Sequence, residues 1–132
     1  YGFQLVLNLL KKNYLKNIKI IKNLDRDKFI RLLSESKMLI GNSSCGIIEA
    51  ASFKLPVVNI GTRQNNRPQS KNILNSNYTS KDIRKKISIA LSEKFQKKCN
   101  MVRNLYYKKN SGYHIYKVLN QLNQNSKILK KY

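Results

Sequence analysis

The stretch Met38-Leu39-Ile40-Gly41-Asn42-Ser43-Ser44-Cys45-Gly46-Ile47-Ile48-Glu49 decides the fold. Its first four residues are an apolar run closed by glycine, which predicts a strand over 38–41 covered on both faces. From Cys45 onward the pattern turns helical, and a short helix over 45–53 is expected. A strand, a tight polar turn and a helix in that order form the repeating unit of a parallel sheet. In open sheets of this kind ligands bind beyond the carboxyl ends of the strands. A helix start at that edge presents N–H groups without intrahelical acceptors and the positive end of the helix dipole. The residues of the turn are small enough for an anion to approach, which suits a phosphate. Ser43 and Ser44 add hydroxyl donors, although a serine that only caps the helix is the plainer alternative.

Working outward, the same alternation continues in both directions. Upstream, residues 4–12 read as a helix and the β-branched run Ile18-Lys19-Ile20-Ile21 as a strand. Asn23 or Asp25 can cap a helix over 26–35, with Phe29, Leu32 and Leu33 on one face. Downstream, 56–60 (PVVNI) reads as a buried strand closed by Gly61, 62–71 as a polar loop, and 72–75 (NILN) as a further strand. Thr79-Ser80-Lys81-Asp82 resembles a capping box with Asp in place of Glu. It opens a helix to about Leu91 that carries Ile83, Ile87, Ala90 and Leu91 on one side. Residues 94–110 are polar and give no clear pattern. Residues 113–122 return to helix, with Ile115, Val118, Leu119 and Leu122 spaced i, i+3, i+4, i+7. The tail after Gln124 is polar and basic. The fold class expected from this order is α/β, a parallel sheet with flanking helices, in one domain.

Three charged residues are placed for chemistry. Glu49, one of only six acids in the chain, sits about one helical turn past the serines. A carboxylate there can accept hydrogen bonds from two vicinal hydroxyls, the pattern a ribose presents. It could equally do no more than complement the helix dipole. Arg63 follows strand 56–60 by three residues, at the same sheet edge as Ser43 and Ser44, and its planar fork suits phosphate oxygens. Arg67 is a second candidate; either arginine could also be an ordinary surface residue. His114, the single histidine, lies far from this cluster and reads as structural or surface.

Composition bounds the alternatives. The chain has 132 residues, 41% of them hydrophobic, so it can bury a core. No run approaches the roughly 20 apolar residues of a membrane span. The chain opens on Tyr1-Gly2-Phe3-Gln4 without an initiator Met or a signal-peptide pattern, and reads as a piece of something longer in a cytoplasmic setting. Cys45 and Cys99 have no metal-ligand spacing and read as free thiols. The sequons at Asn42 and Asn77 read as chance matches. The net charge of +21 points toward polyanions. The lysines, however, are scattered rather than gathered in a stripe with aromatics, as a nucleic-acid platform prefers. Their company of Asn and Ile, residues with A/T-rich codons, makes genome composition the simpler source of the charge.

The run GNSSCGIIEAASFKLPVVNIGTRQNNRP, over 41–68, resembles the signature of the hydrolysing UDP-N-acetylglucosamine 2-epimerases of the sialic and nonulosonic acid branch. The preceding NLDRDKFIRLLSESKMLIGN fits the same family. The likeness is tight over 22–68 and looser over 69–121. Asn104–Gly112 keeps only part of the family's Gly-rich, Pro-containing turn. The resemblance implies a glycosyltransferase-B-type pair of Rossmann-like domains, with residues 1–132 forming most of the second, nucleotide-binding one and an N-terminal domain as its partner. It implies a UDP-sugar substrate, no cofactor and no metal, and leaves room for a homo-oligomer. By motif position Ser43 and Ser44 would hold the diphosphate, Glu49 the ribose hydroxyls and Arg63 the nucleotide. The backbone near Asn23 and Leu24 would frame the uracil. The implied chemistry is elimination of UDP followed by hydration to N-acetylmannosamine. Its acids and bases lie chiefly in the first domain and the interdomain cleft, so no catalytic residue is assigned in this chain, and a non-catalytic nucleotide-binding remnant is the alternative reading.

Overall fold

The computed structural model describes Asn8 and residues 17–122. Tyr1–Leu32 and Leu33–Tyr132 form two compact units. Helix α1, Arg26–Glu35, straddles the division. The helix expected over 4–12 lies outside the described residues except for Asn8, which is helical, and the tail after Gln124 lies outside them altogether.

In the first unit the strand expected over 18–21 is absent: the backbone is irregular and Ile18, Ile20 and Ile21 are exposed. A β-branched run only favours extended backbone, and a strand also needs a neighbour to complete its ladder. Among the described residues no strand pairs with this one. The start of α1 follows the sequence: the Phe29 N–H donates to the Asp25 carbonyl at 2.9 Å. Lys28 pairs with the Asp25 carboxylate at 2.7 Å in solvent. Leu33 is buried and Phe29 half-buried, but Leu32 is exposed, so the expected three-residue face is narrower.

The second unit is built on a three-stranded parallel sheet, β1 (Leu39–Gly41), β2 (Val57–Ile60) and β3 (Ile73–Ser76), in that spatial order. Leu39 lies opposite Val57 and Gly41 opposite Asn59; Val57 lies opposite Ile73 and Asn59 opposite Asn75. The strands fall within a residue of the sequence expectation. The burial of β1 does not. It was expected to be covered on both faces, yet it forms an edge of the described sheet and Ile40 is 44% exposed. The central strand β2 is the one enclosed on both sides. Val57 faces Gly46, on the helix that precedes this strand in the chain, Val58 points the opposite way because side chains alternate along a strand, and both are buried.

Helix α2 (Ser44–Ile48) is followed directly by a 3-10 turn, Ala50–Phe53, so the expected helix over 45–53 is one irregular element. Gly46 lets it lie close to the sheet. A Cβ there would meet Leu39 Cδ2 at 2.9 Å and Val57 Cγ1 at 3.1 Å, tighter than side chains tolerate. Ile47, Ala50 and Ala51 complete this seam in the core.

After β3, helix α3 (Ser80–Leu91) packs against β2 and β3. Ala90 is buried and Ile83 and Ile87 half-buried, but Leu91 is exposed. Its cap departs from the reciprocal box the sequence suggested. Thr79 Oγ1 accepts from the Asp82 N–H at 3.3 Å, but the Asp82 carboxylate accepts from the Asn77 N–H at 3.0 Å and Ser76 Oγ at 3.1 Å. The Thr79 N–H donates instead to Asn77 Oδ1 at 2.9 Å. The Asn77 N–H first, then Ser76 Oγ and the charges of Lys86 and Lys85, hold the Asp82 carboxyl below its usual range against the opposing effect of burial.

Residues 94–110, which gave no pattern, hold all but the first residue of helix α4 (Glu93–Asn100), capped by Ser92 Oγ accepting from the Phe95 N–H at 3.4 Å. Phe95 and Cys99 share one helical face and are buried. The segment after α4 is tied back onto the core. Lys54 Nζ donates to the Val102 carbonyl at 2.6 Å, and Asn104 Nδ2 reaches the Ile48 carbonyl at 2.8 Å. Helix α5 (Ser111–Gln121) closes the described chain, and every residue in it is exposed. Its apolar positions have the expected helical spacing but meet no described core. His114, on α5, is a surface residue whose ring lies edge-on to Tyr113.

Candidate functional site

The parallel strands end together, and the polar residues that follow them converge. Gly41, Asn59 and Asn75 form one row across the sheet, just before its carboxyl edge. Three connections leave this edge: the turn 42–43, the loop after Ile60, and Asn77–Thr79.

In the first connection Ser43 is the N-cap of α2, its Oγ accepting from the Cys45 N–H at 3.4 Å and from Cys45 Sγ at 3.2 Å. Acting as acceptor leaves the Ser43 hydroxyl its own proton to donate. Ser43 is exposed and Ser44, the first helical residue, half-exposed. Glu49 is not inside a continuous helix as expected. It joins α2 to the 3-10 turn, half-buried, with Oε2 shielded from solvent.

The second connection begins at Gly61, whose φ of 77° lies in the left-handed region that only glycine enters without strain. The Tyr78 ring occupies the space a Cβ would need. The Thr62 N–H donates to the Tyr78 hydroxyl at 3.3 Å. Hydrogen bonding by Thr62, through its side chain first and its backbone second, lowers the phenol below its usual range. Two short turns then compact the loop: Asn65 N–H to Thr62 carbonyl at 3.0 Å, and Arg67 N–H to Gln64 carbonyl at 3.2 Å. Arg63 and Arg67 are both exposed.

Gln64 joins the two connections. It is 2% exposed, and its Nε2 donates to the Asn42 carbonyl at 2.8 Å. One residue to one side of that bond is Ser43, and one residue to the other is Arg63. The structure therefore brings together Ser43, Ser44 and Arg63 at the carboxyl edge, with Glu49 on the element that starts there. Arg67 lies farther along the same loop, whose end is held by Tyr106 OH donating to the Pro68 carbonyl at 3.0 Å. Asn23 and Leu24 belong to the first unit.

Gln64, Gly46 and Tyr78 carry much of this geometry and were not singled out by sequence. Gly46 was visible as a small residue early in a helix that follows an apolar strand. Gln64 looked like any polar loop residue, because its burial depends on a contact 22 positions away in the chain. Among the described residues no group of three His, Cys, Asp or Glu is placed to hold a metal, and no helix is long and apolar enough to cross a membrane.

A parallel α/β sheet with helices on its flanks and polar turns gathered at its carboxyl edge is a Rossmann-like architecture of the kind found in glycosyltransferase-B-type proteins. The chain belongs to the UDP-N-acetylglucosamine 2-epimerase family, whose model matches residues 3–120. It is similar to a UDP-N,N'-diacetylbacillosamine 2-epimerase (hydrolyzing) of Legionella pneumophila, 39% identical over 115 residues, 87% of this chain and 29% of that protein. It is similar to a GDP/UDP-N,N'-diacetylbacillosamine 2-epimerase (hydrolyzing) of Campylobacter jejuni, 38% identical over 82 residues, 59% of this chain and 21% of that one. A UDP-N-acetylglucosamine 2-epimerase of Neisseria meningitidis is 44% identical over 55 residues, 42% of this chain and 15% of that one. The chain thus spans less than a third of the length of each of these relatives.

Proposed function

We propose that this chain is the UDP-binding, C-terminal part of a hydrolysing epimerase that converts UDP-N-acetylglucosamine to N-acetylmannosamine and UDP. The observation that carries the reading is the Gln64–Asn42 hydrogen bond, which sets the arginine loop against the serine turn at the carboxyl edge of the sheet. Ser43 and Ser44 offer hydroxyl donors to the diphosphate, Arg63 offers a planar pair of N–H donors to the same charge, and Glu49, whose Oε2 is shielded from solvent, offers its other carboxylate oxygen to the ribose hydroxyls. None of these groups takes the sugar's C2 proton. Their part is to bind the leaving group and stabilise the charge it gains when the bond from C1 to the diphosphate oxygen breaks. The C2 proton goes to a base outside this chain, and water then adds to the unsaturated sugar. That base lies in the length of the relatives that this chain does not span.

A second reading of the substrate is a UDP-linked diacetamido sugar. The names of the Legionella and Campylobacter relatives favour it. Both readings share the UDP site.

The test has two arms. Titration calorimetry should find UDP bound by the 132-residue chain, and uridine bound more weakly because the phosphates are the anchored part. A coupled assay for free UDP should find no release from UDP-N-acetylglucosamine by this chain alone. Removing one positioned acid or base typically lowers a rate by about 10²–10⁴-fold. UDP release comparable to that of a full-length relative would overturn the division of labour, and absence of UDP binding would overturn the site.

A further inference from the structure

The carboxyl edge carries a series of side-chain amides, linked at one step through the backbone carbonyl of Gln64. Asn59 Nδ2 on β2 donates to Asn75 Oδ1 on β3 at 2.8 Å, between residues directly opposite in the sheet. Asn75 Nδ2 donates to Gln69 Oε1 at 2.8 Å, and Gln69 Nε2 to the Gln64 carbonyl at 3.3 Å. Gln64 Nε2 ends the chain on the Asn42 carbonyl. Two strands, the arginine loop and the serine turn are thus connected through four amide side chains.

The amide of Gln64 is poorly suited to a purely stabilising role. The residue is buried, yet Oε1 has no hydrogen-bond partner among the described residues. Burying an amide oxygen in that state is unfavourable, and an unbranched apolar side chain would fill the same space without it. What the amide supplies that an apolar chain cannot is a directed bond to the Asn42 carbonyl.

We propose that Gln64, supported through Gln69 and Asn75, is a positioning residue: it fixes the turn holding Ser43 at a set distance from Arg63, so that both engage one diphosphate. The inference rests on the UDP-binding reading above. It assigns the alignment of the two loops to amides that touch no ligand.

The experiment uses the whole 132-residue chain and compares it with Gln64→Met and Asn75→Asp. Gln64→Met keeps length and removes the bond to Asn42. Asn75→Asp keeps the acceptor for Asn59 and loses the donor to Gln69. Amide hydrogen exchange without ligand reports on the loops, and calorimetry with UDP and with uridine reports on binding. The expected result for Gln64→Met is faster exchange over 42–45 and 62–67, roughly tenfold weaker UDP binding, little change for uridine, and a melting temperature near that of the native chain. Asn75→Asp should give the same pattern in weaker form, and it keeps the inference testable if Gln64→Met does not fold. A role in stability alone would lower the melting temperature while leaving UDP and uridine affinities in their native ratio, and that outcome overturns the inference while the UDP site stands. Failure of the native chain to bind UDP overturns the UDP-binding reading, and the inference with it.

Discussion

Gln64 Nε2 lies 2.8 Å from the Asn42 carbonyl oxygen, joining two loops that leave neighbouring parallel strands. Parallel pairing puts Arg63 and Ser43, 20 positions apart in sequence, beyond the same edge of the sheet, and the bond ties their loops together. It also distinguishes the two arginines of the loop, since Arg63 adjoins the anchored residue and Arg67 follows a further turn.

Arg63→Ala should therefore weaken UDP binding more than Arg67→Ala. A hydrogen bond to a charged group contributes about 1.5–3 kcal/mol, so the loss at Arg63 should be roughly tenfold or more. Calorimetry on both variants checks this. Equal losses would mean that the arginines act only through general charge.

Gly61→Ala should destabilise the fold for two separable reasons. A φ of 77° costs a side-chain-bearing residue about 1–2 kcal/mol. The new Cβ would also displace the Tyr78 ring. Only the second contribution disappears when Tyr78 is removed, so Gly61→Ala should be less damaging in a Tyr78→Ala background. Chemical denaturation of the four proteins of this cycle gives the coupling, and strictly additive effects would refute the contact.

The Asp82 carboxylate should make the start of α3 sensitive to acid. Its folded pKa is depressed, chiefly by the Asn77 N–H, so its contribution to stability is complete above the usual aspartate value of about 3.9 and is lost as pH falls through the lower folded value. Melting temperatures of the native chain and Asp82→Asn should differ near neutral pH and converge in strong acid. A difference that persists in strong acid would rule out this linkage.

The two thiols should react at different rates. Cys99 is buried and burial pushes its thiol up, with the Lys98 charge acting in the opposite direction. Cys45 is partly accessible and adjoins the serine turn. Under native conditions an alkylating reagent should modify Cys45 first, and saturating UDP should slow that reaction. Mass spectrometry of the digested product identifies the site. Equal labelling of both cysteines would contradict the packing of α4, and labelling unaffected by UDP would argue against a ligand at the turn.

Most of the sheet was legible because its signals are local. Runs such as Val57-Val58 are apolar enough to demand burial, and Gly41 and Gly61 mark where the strands stop. The extent of burial was less legible. Ile40 reads like Val58 in sequence, but it belongs to an edge strand, and strand order depends on pairing that no short window encodes. Helix α4 escaped because two buried residues, Phe95 and Cys99, are its whole apolar face. The run 18–21 misled for the converse reason, since β-branched residues favour extended backbone without supplying a partner strand. At the carboxyl edge, the places of Ser43, Ser44 and Arg63 were readable from motif position. The hydrogen bonds of Gln64 and Asn75 were not, since they join residues distant in sequence.

UDP titrated into the uniformly ¹⁵N-labelled 132-residue chain, followed by amide chemical shifts at low and moderate salt, tests the site most directly. Shifts should concentrate over Gly41–Gly46 and Gly61–Arg67, with saturation at both salt concentrations. Shifts spread over the scattered lysines and abolished by salt would show a general polyanion effect of the +21 charge, and would contradict a UDP site at the carboxyl edge.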